Sequence, residues 1–225
     1  MARRKMIAAV ALLFVTTLAS VATPAFAASL DGFNGDLSAY TSAGNGGWYI
    51  EGGRLAHTYS DHTSFVELVR PANVQRVEAD ITLSPGRSNA GLTLLWKDHS
   101  NHLWTKLEVT PGNPSGLFSI GKRSGGVVSS LLTKTFGGLQ AGQTYHVSFS
   151  YASGVATARA VSVDGLYDRT LMYKLTSSDL TRFGAGTKAG ARAKFLYDED
   201  DGGTRWDNMQ VGTAPPLSFV AVSHS

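Results

Sequence analysis

The chain has 225 residues, carries 20 Lys and Arg against 17 Asp and Glu, and contains no cysteine. The lack of cysteine excludes disulfide bonds and a lipid anchor on cysteine. Basic residues occur only in short pairs such as Lys122-Arg123, and without a long basic run the sequence predicts no nucleic-acid partner.

The first 27 residues have the three-part layout of a secretory signal peptide. A basic start at residues 3–5 precedes an apolar run over residues 6–21, and Ala25-Phe26-Ala27 forms a small-x-small cleavage signal. The apolar run is shorter than the roughly 20 residues of a membrane-spanning helix, and no longer run follows it. The sequence therefore predicts a secreted protein without a membrane span, whose mature chain begins at Ala28.

Removal of this segment changes the formal net charge and limits the length of the folded part. The remaining 198 of the 225 residues carry 17 basic and 17 acidic side chains, so their formal net charge is zero. This length fits one β domain with its own core. We predict a single domain over residues 28–211, followed by a C-terminal tail over 212–225 that contains Pro215-Pro216.

Alternation of apolar and polar residues dominates the rest of the chain and predicts half-buried strands. It is clearest at 74–83, 102–109, 144–151 and 188–197. Glycine-rich turns separate these segments from further predicted strands at 48–51, 54–59, 64–69, 90–97, 116–121, 127–132, 155–163 and 204–211. Only residues 176–182 are expected to be helical. The pattern predicts an all-β fold, either a sandwich or a barrel, with Trp96 in its core beside Leu92 and Leu94.

Motifs near both ends of the mature chain carry a family resemblance. The chain opens with Leu30-Asp31-Gly32-Phe33, continues with Gly47-Trp48-Tyr49-Ile50-Glu51-Gly52-Gly53-Arg54-Leu55, and closes with Trp206-Asp207-Asn208-Met209-Gln210-Val211. These motifs resemble those of concanavalin A-like, laminin-G-like jelly-roll domains. The resemblance covers nearly the whole mature domain. It implies an all-β antiparallel sandwich of two sheets, of jelly-roll type, and this fold carries lectins, glycosidases, lyases and adhesion modules.

The resemblance also implies a structural calcium ion. Related domains bring their first and last strands together, and this would pair Asp31 with Asp207 as carboxylate ligands of Ca²⁺. The alternative is that both aspartates make turn and ladder hydrogen bonds without a metal.

One polar strand face suggests a sugar-binding site. Trp104, Lys106 and Glu108 alternate with Leu103, Leu107 and Val109, so the indole ring lies on the polar side of its strand. A tryptophan there is suited to stacking a sugar ring, with the neighbouring charges bonding hydroxyl or uronate groups. The alternative is that a loop covers Trp104 as part of a secondary core. Arg192 and Lys194 alternate in the same way and are expected to line the same groove, and His146 is a further candidate.

These features predict a monomeric, non-catalytic, lectin-like domain that binds a glycan or polysaccharide. An enzyme, either a glycoside hydrolase or a polysaccharide lyase, is the alternative, with Glu78, Asp80, Glu108 and residues 198–201 as candidate carboxylates and His146 as the candidate base. The third carboxylate of a laminarinase-type Glu-x-Asp motif is missing, because Thr82 and Leu83 stand there. The acidic stretch 198–201 is most simply a solvated hairpin loop. A third alternative is an extracellular protein-interaction module.

The processing prediction can be checked directly. Expression with export should yield a protein whose intact mass corresponds to residues 28–225. A retained N-terminus, or cleavage elsewhere than before Ala28, would contradict the predicted signal peptide.

Overall fold

The computed structural model describes residues 30–57, 65–72, 74–194 and 203–212. This part of the chain forms fifteen strands and one short helix. In chain order they are β1 (Leu30–Asp31), β2 (Thr41–Gly44), β3 (Trp48–Glu51), β4 (Arg54–His57), β5 (Phe65–Pro71), β6 (Arg76–Thr82), β7 (Ser88–Asp98), β8 (Asn101–Val109), β9 (Ser115–Ser124), β10 (Val127–Gly137), β11 (Thr144–Ala152), β12 (Val155–Ser162), β13 (Asp168–Lys174), α1 (Ser177–Phe183), β14 (Lys188–Lys194) and β15 (Arg205–Val211).

The strands form two antiparallel sheets. Sheet I has the order β13-β12-β11-β6-β15-β4-β3, with β1 paired to β15. Sheet II has the order β10-β9-β8-β7-β14-β5-β2. The predicted all-β antiparallel sandwich is confirmed. Within the described residues no helix has the length and apolar character needed to cross a membrane.

The core lies between the inner faces of the two sheets. Sheet I contributes residues such as Ile81 from β6 and Phe149 from β11, and sheet II contributes residues such as Leu107 from β8 and Phe118 from β9. Each of these side chains is completely buried, and burial of one such side chain stabilises the fold by about 1.5–3 kcal/mol. As predicted from the period-two alternation, these strands therefore have one face toward the core.

Trp206 links the two sheets through the core. Its side chain leaves β15 of sheet I, and its indole Nε1–H donates a hydrogen bond of 3.1 Å to the carbonyl of Gly91 on β7 of sheet II. The rings of Trp48 and His57 pack against it at centroid distances of 5.2 and 5.5 Å. Burial lowers the pKa of His57 to about 3, so this histidine is neutral.

Trp96 is the one core assignment that the structure corrects. Leu95 adopts a left-handed backbone conformation with φ of 48°, and the β7–β8 register shifts after Leu94. This irregularity directs Leu95 into the core cluster. Trp96 instead turns to the outer face of sheet II, where Lys188 lies 5.2 Å from its ring. Strict alternation fails wherever a bulge inserts a residue.

The predicted helix is confirmed, whereas three strands were not predicted from the sequence. Thr176 caps α1 with a reciprocal capping box to Asp179, and Phe183 is buried. The missed strands β1, β2 and β13 each bury few side chains, because they lie at or near sheet edges. The predicted signal peptide, most of the predicted tail, and the ends of the strands predicted at 54–59 and 188–197 lie outside the described residues.

The inter-sheet hydrogen bond predicts a difference between two equivalent substitutions. Trp206→Phe removes the donor to Gly91, so it should lower the free energy of unfolding by about 1 kcal/mol beyond the packing loss. Trp48→Phe is the control, because its buried Nε1 has no hydrogen-bond partner in the described part of the chain. Urea unfolding measures both changes, and equal costs would contradict a stabilising role for this bond.

Candidate ligand-binding site

Four of the predicted site residues meet on the outer face of sheet II. Trp104, Lys106 and Glu108 lie on β8, and Arg192 lies on β14 two strands away. The pairing places Gly91 of β7 opposite both Lys106 and Arg192, so no side chain separates them. Their convergence follows from the alternation of β8 and β14 together with this glycine.

These residues line a cavity of about 150 Å³, which we call the Trp104 cavity. Lys194 of β14 and Phe65 of β5 close one side, and Asn89 of β7 lies opposite Glu108 in the strand register. Ser129 of β10 belongs to the rim. Phe65 and Asn89 cannot be recognised as site residues from the sequence, because neither stands in a recognisable motif and only the strand pairing brings them here.

Trp104 is not the open stacking platform that its position suggested. Its side chain is only 2% exposed. One side of the ring lies over Gly121 of β9, where a methyl group would approach ring carbon Cζ2 to 2.0 Å. The guanidinium of Arg192 lies 4.7 Å from the ring centroid. The secondary-core alternative is therefore the better description of this side chain, which forms the floor of the cavity.

Arg192 is a buried cation with unused donors. Its side chain is 1% exposed and its guanidinium lies between Trp104 and the Phe65 ring, 4.3 Å from the latter. Among the described residues, neither Nε nor Nη1 has a hydrogen-bond partner. Burial lowers the pKa of Arg192 to about 10, which leaves the guanidinium charged at neutral pH.

A polar network lies behind Arg192. Glu67 of β5 is opposite Arg192 in the register and is fully buried. Its Oε2 accepts a 2.6 Å hydrogen bond from His99 Nδ1, and His99 Nε2 accepts one of 2.6 Å from Arg123. Because an arginine can only donate, Nε2 of His99 is the acceptor and its Nδ1 is the donor to Glu67. The negative charge of Glu67 thus offsets part of the charge of Arg192.

The two lysines that line the cavity, Lys106 and Lys194, have different partners. Lys106 donates to Glu108, so this pair is neutral overall. Lys194 lies 5.1 Å from the Phe65 ring. Burial lowers the pKa of Lys194, and the positive charges of Lys106 and Arg192 lower it further.

His146 belongs to a different surface. It lies on β11, on the outer face of sheet I, and the core separates it from the Trp104 cavity. Its Nδ1 is 2.8 Å from Asp80 Oδ1, and its Nε2 is 3.8 Å from Glu78 Oε2. The hydrogen bond to Asp80 and the charge of Glu78 raise the pKa of His146 to about 9. Arg76 also donates to Glu78, at 2.6 Å.

The carboxylates considered for catalysis do not share one cleft. Glu78 and Asp80 lie on the outer face of sheet I, whereas Glu108 lies on the outer face of sheet II. Glu78 is 1% exposed and bound to Arg76, and Asp80 also accepts from Asn208. This cluster has the partners of a structural ion-pair network. Residues 198–201 lie outside the described part of the chain.

Asp31 and Asp207 do not fit a shared calcium site. Asp207 pairs with Asp80 on the outer face of sheet I, whereas Asp31 pairs with Met209, whose side chain is in the core. A bulge at Asn208, where φ is 50°, turns Met209 inward and takes Asp31 to the opposite face from Asp207.

Each of these aspartates has protein partners instead. Asp31 accepts hydrogen bonds from the Phe33 amide at 2.8 Å and the Tyr40 hydroxyl at 2.7 Å. Asp207 accepts one of 2.8 Å from the Asn208 amide. No cluster of three or more metal-ligating side chains occurs within the ranges that the structure describes. The turn-and-ladder alternative describes both residues.

A larger cavity of about 460 Å³ lies beside the β12–β13 turn, lined in part by Tyr145, Asp164 and Tyr167. Its polar groups are already satisfied. Asp164 Oδ1 accepts from Ser162 and from the Leu166 amide, and the Tyr145 hydroxyl donates to the Gly138 carbonyl at 2.6 Å. The smaller Trp104 cavity contains buried donors without partners, so we regard it as the better ligand site.

Comparison with known proteins identifies the fold. No protein-family model matches the sequence, and no curated protein matches it either. Among solved structures, the CBM2 module of the Lactobacillus casei BL23 phage J-1 evolved Dit has a TM-score of 0.57 at 11% identity, over 81% of this chain and 93% of that one. Lectin I from Ulex europaeus, in complex with the methyl glycoside of α-L-fucose, has a TM-score of 0.55 at 11% identity, over 80% and 93%.

The exoplasmic/lumenal domain of VIP36, in a form bound to Ca²⁺ and Man3GlcNAc, has a TM-score of 0.54 at 11% identity, over 84% of this chain and 87% of that one. Identities this low establish architecture alone. The chain therefore has the concanavalin A-like jelly-roll fold that its end motifs suggested.

The His146 network predicts a pH-dependent contribution to stability. A pKa raised from 6.5 to about 9 means that the contribution is complete below pH 6.5 and is lost as pH rises through about 9. His146→Gln should therefore cost about 1 kcal/mol of unfolding free energy at about pH 6 and almost nothing at about pH 10. Ser148→Ala, on the same strand face, is the control. A cost for His146→Gln that does not change with pH would contradict this account.

Proposed function

We propose that this chain is a secreted, non-catalytic carbohydrate-binding domain that binds a glycan at the Trp104 cavity. One observation carries the proposal: residues of β8 and β14 line a single cavity, and donors of Arg192 and Trp104 there are buried without a hydrogen-bond partner among the described residues. Binding sites combine an apolar lining with a few such polar groups. Phe65 and Trp104 supply the apolar surface, and Arg192 supplies the donors.

The fold supports a saccharide as the class of ligand. Two of the structural neighbours are described with bound saccharides, Man3GlcNAc in VIP36 and a fucose methyl glycoside in the Ulex lectin. Secretion rests on the signal-peptide layout of the first 27 residues. Calcium enters this proposal only through VIP36, whose described form contains Ca²⁺, because Asp31 and Asp207 do not fit a common site.

A glycan array with the protein of residues 28–225 tests this function. Lys194→Gln removes a half-buried charge from the cavity, and Lys188→Gln makes the same change on the same strand face outside the cavity. We expect Lys194→Gln to weaken binding about tenfold or more, since a charge-assisted hydrogen bond contributes about 1.5–3 kcal/mol. Lys188→Gln should bind as the wild type does.

Two outcomes would contradict the proposal. Binding to no glycan, with and without calcium, would exclude the carbohydrate function. Wild-type binding by both lysine variants would show that a glycan binds elsewhere than the Trp104 cavity.

A further inference from the structure

We infer that the ligand group received by the Trp104 cavity is an oxyanion, the carboxylate of a uronic acid or a sulfate ester, held by the Arg192 guanidinium and the Trp104 indole N–H. This inference rests on the proposed function and specifies its ligand. Its evidence is the set of donors, the distribution of charge and the size of the cavity.

The buried donors at the cavity floor have no acceptor. Nε and Nη1 of Arg192 and Nε1 of Trp104 are buried, and none has a hydrogen-bond partner among the described residues. A buried donor without a partner destabilises the folded state, and a charged donor does so more strongly. A guanidinium presents its N–H groups as a planar fork that matches the two oxygens of a carboxylate or sulfate. Nε and Nη1 belong to different edges of the guanidinium, and each forms a fork with Nη2, so an oxyanion that binds one fork satisfies one of these two nitrogens.

The charges around the cavity also favour an anion. The Phe65 ring has three cations around it, with Arg192, Lys194 and Arg123 at 4.3, 5.1 and 5.8 Å from its centroid. Glu67 balances one of these, and Glu108 is already paired with Lys106. A positive excess therefore remains next to the cavity. The depressed pKa of Lys194 reflects burial and repulsion by its cationic neighbours, and an anion would relieve that repulsion.

Cavity size and one acceptor restrict the ligand further. A volume of about 150 Å³ lies below the roughly 300 Å³ of small drug-binding pockets, so it admits one acidic group and part of a sugar ring. Oδ1 of Asn89, which is 3% exposed, also has no partner within the described ranges. It can accept a hydrogen bond from a sugar hydroxyl next to the acidic group. An acidic sugar carries both groups, the acidic group and a neighbouring hydroxyl, in one residue.

Matched saccharide pairs measured by calorimetry test the inference. One pair is trigalacturonate and its uncharged methyl ester, and the other is a sulfated trisaccharide and its desulfated form. We expect one acidic member to bind at least tenfold more tightly than its neutral partner, and the pair that differs identifies carboxylate or sulfate as the group. Lys194→Gln and Arg192→Lys should both reduce that ratio, whereas Lys188→Gln should preserve it.

The outcomes separate this inference from the proposed function. If acidic and neutral members bind equally and Lys194→Gln weakens both, the glycan site stands and the oxyanion inference is wrong. If none of the four saccharides binds, the oxyanion inference is overturned, and the glycan array alone then decides the function. Arg192→Lys can lower stability because it alters a buried group. The partly exposed Lys194→Gln therefore carries the test if the Arg192 variant does not fold.

Discussion

The buried guanidinium of Arg192 is the interaction on which the outer face of sheet II depends. A cation at 1% exposure is costly unless neighbouring groups compensate for its lost hydration. Here Glu67 supplies an opposite charge from the paired strand, and the Trp104 and Phe65 rings supply aromatic faces. This compensation leaves two guanidinium nitrogens unpaired, and the unpaired donors give the cavity its chemical preference.

Burial of the Arg192 guanidinium depends on residues of several other strands. The Trp104 ring can occupy its position only because residue 121 has no side chain. Glu67 keeps its charge oriented through His99, which Arg123 in turn positions. The aromatic groups and this ion network thus form a second, polar layer outside the apolar core. A strand face built in this way favours a charged ligand group over flat stacking on an exposed ring.

The sequence predicted the sandwich and the residues on each strand face, because alternation reports directly which side chains share a face. It did not predict what covers a face, and so Trp104 was expected to be open although it is buried. It also missed irregular residues. The bulge at Asn208 places Asp31 and Asp207 on opposite faces. The left-handed backbone at Leu95 directs Leu95 into the core and Trp96 to the outer face. Such bulges have no marker in the alternating pattern.

The most direct test of the glycan site is the indole N–H signal of Trp104, followed by nitrogen-15-edited NMR while the tightest-binding glycan is added. The protein has four tryptophans, so Trp104→Phe suffices to assign the signal. The account predicts that the Trp104 signal shifts on binding, because its unpaired donor gains an acceptor, while the signal of Trp206, already bonded to Gly91, stays in place. Saturated binding with an unchanged Trp104 signal would contradict the proposed site.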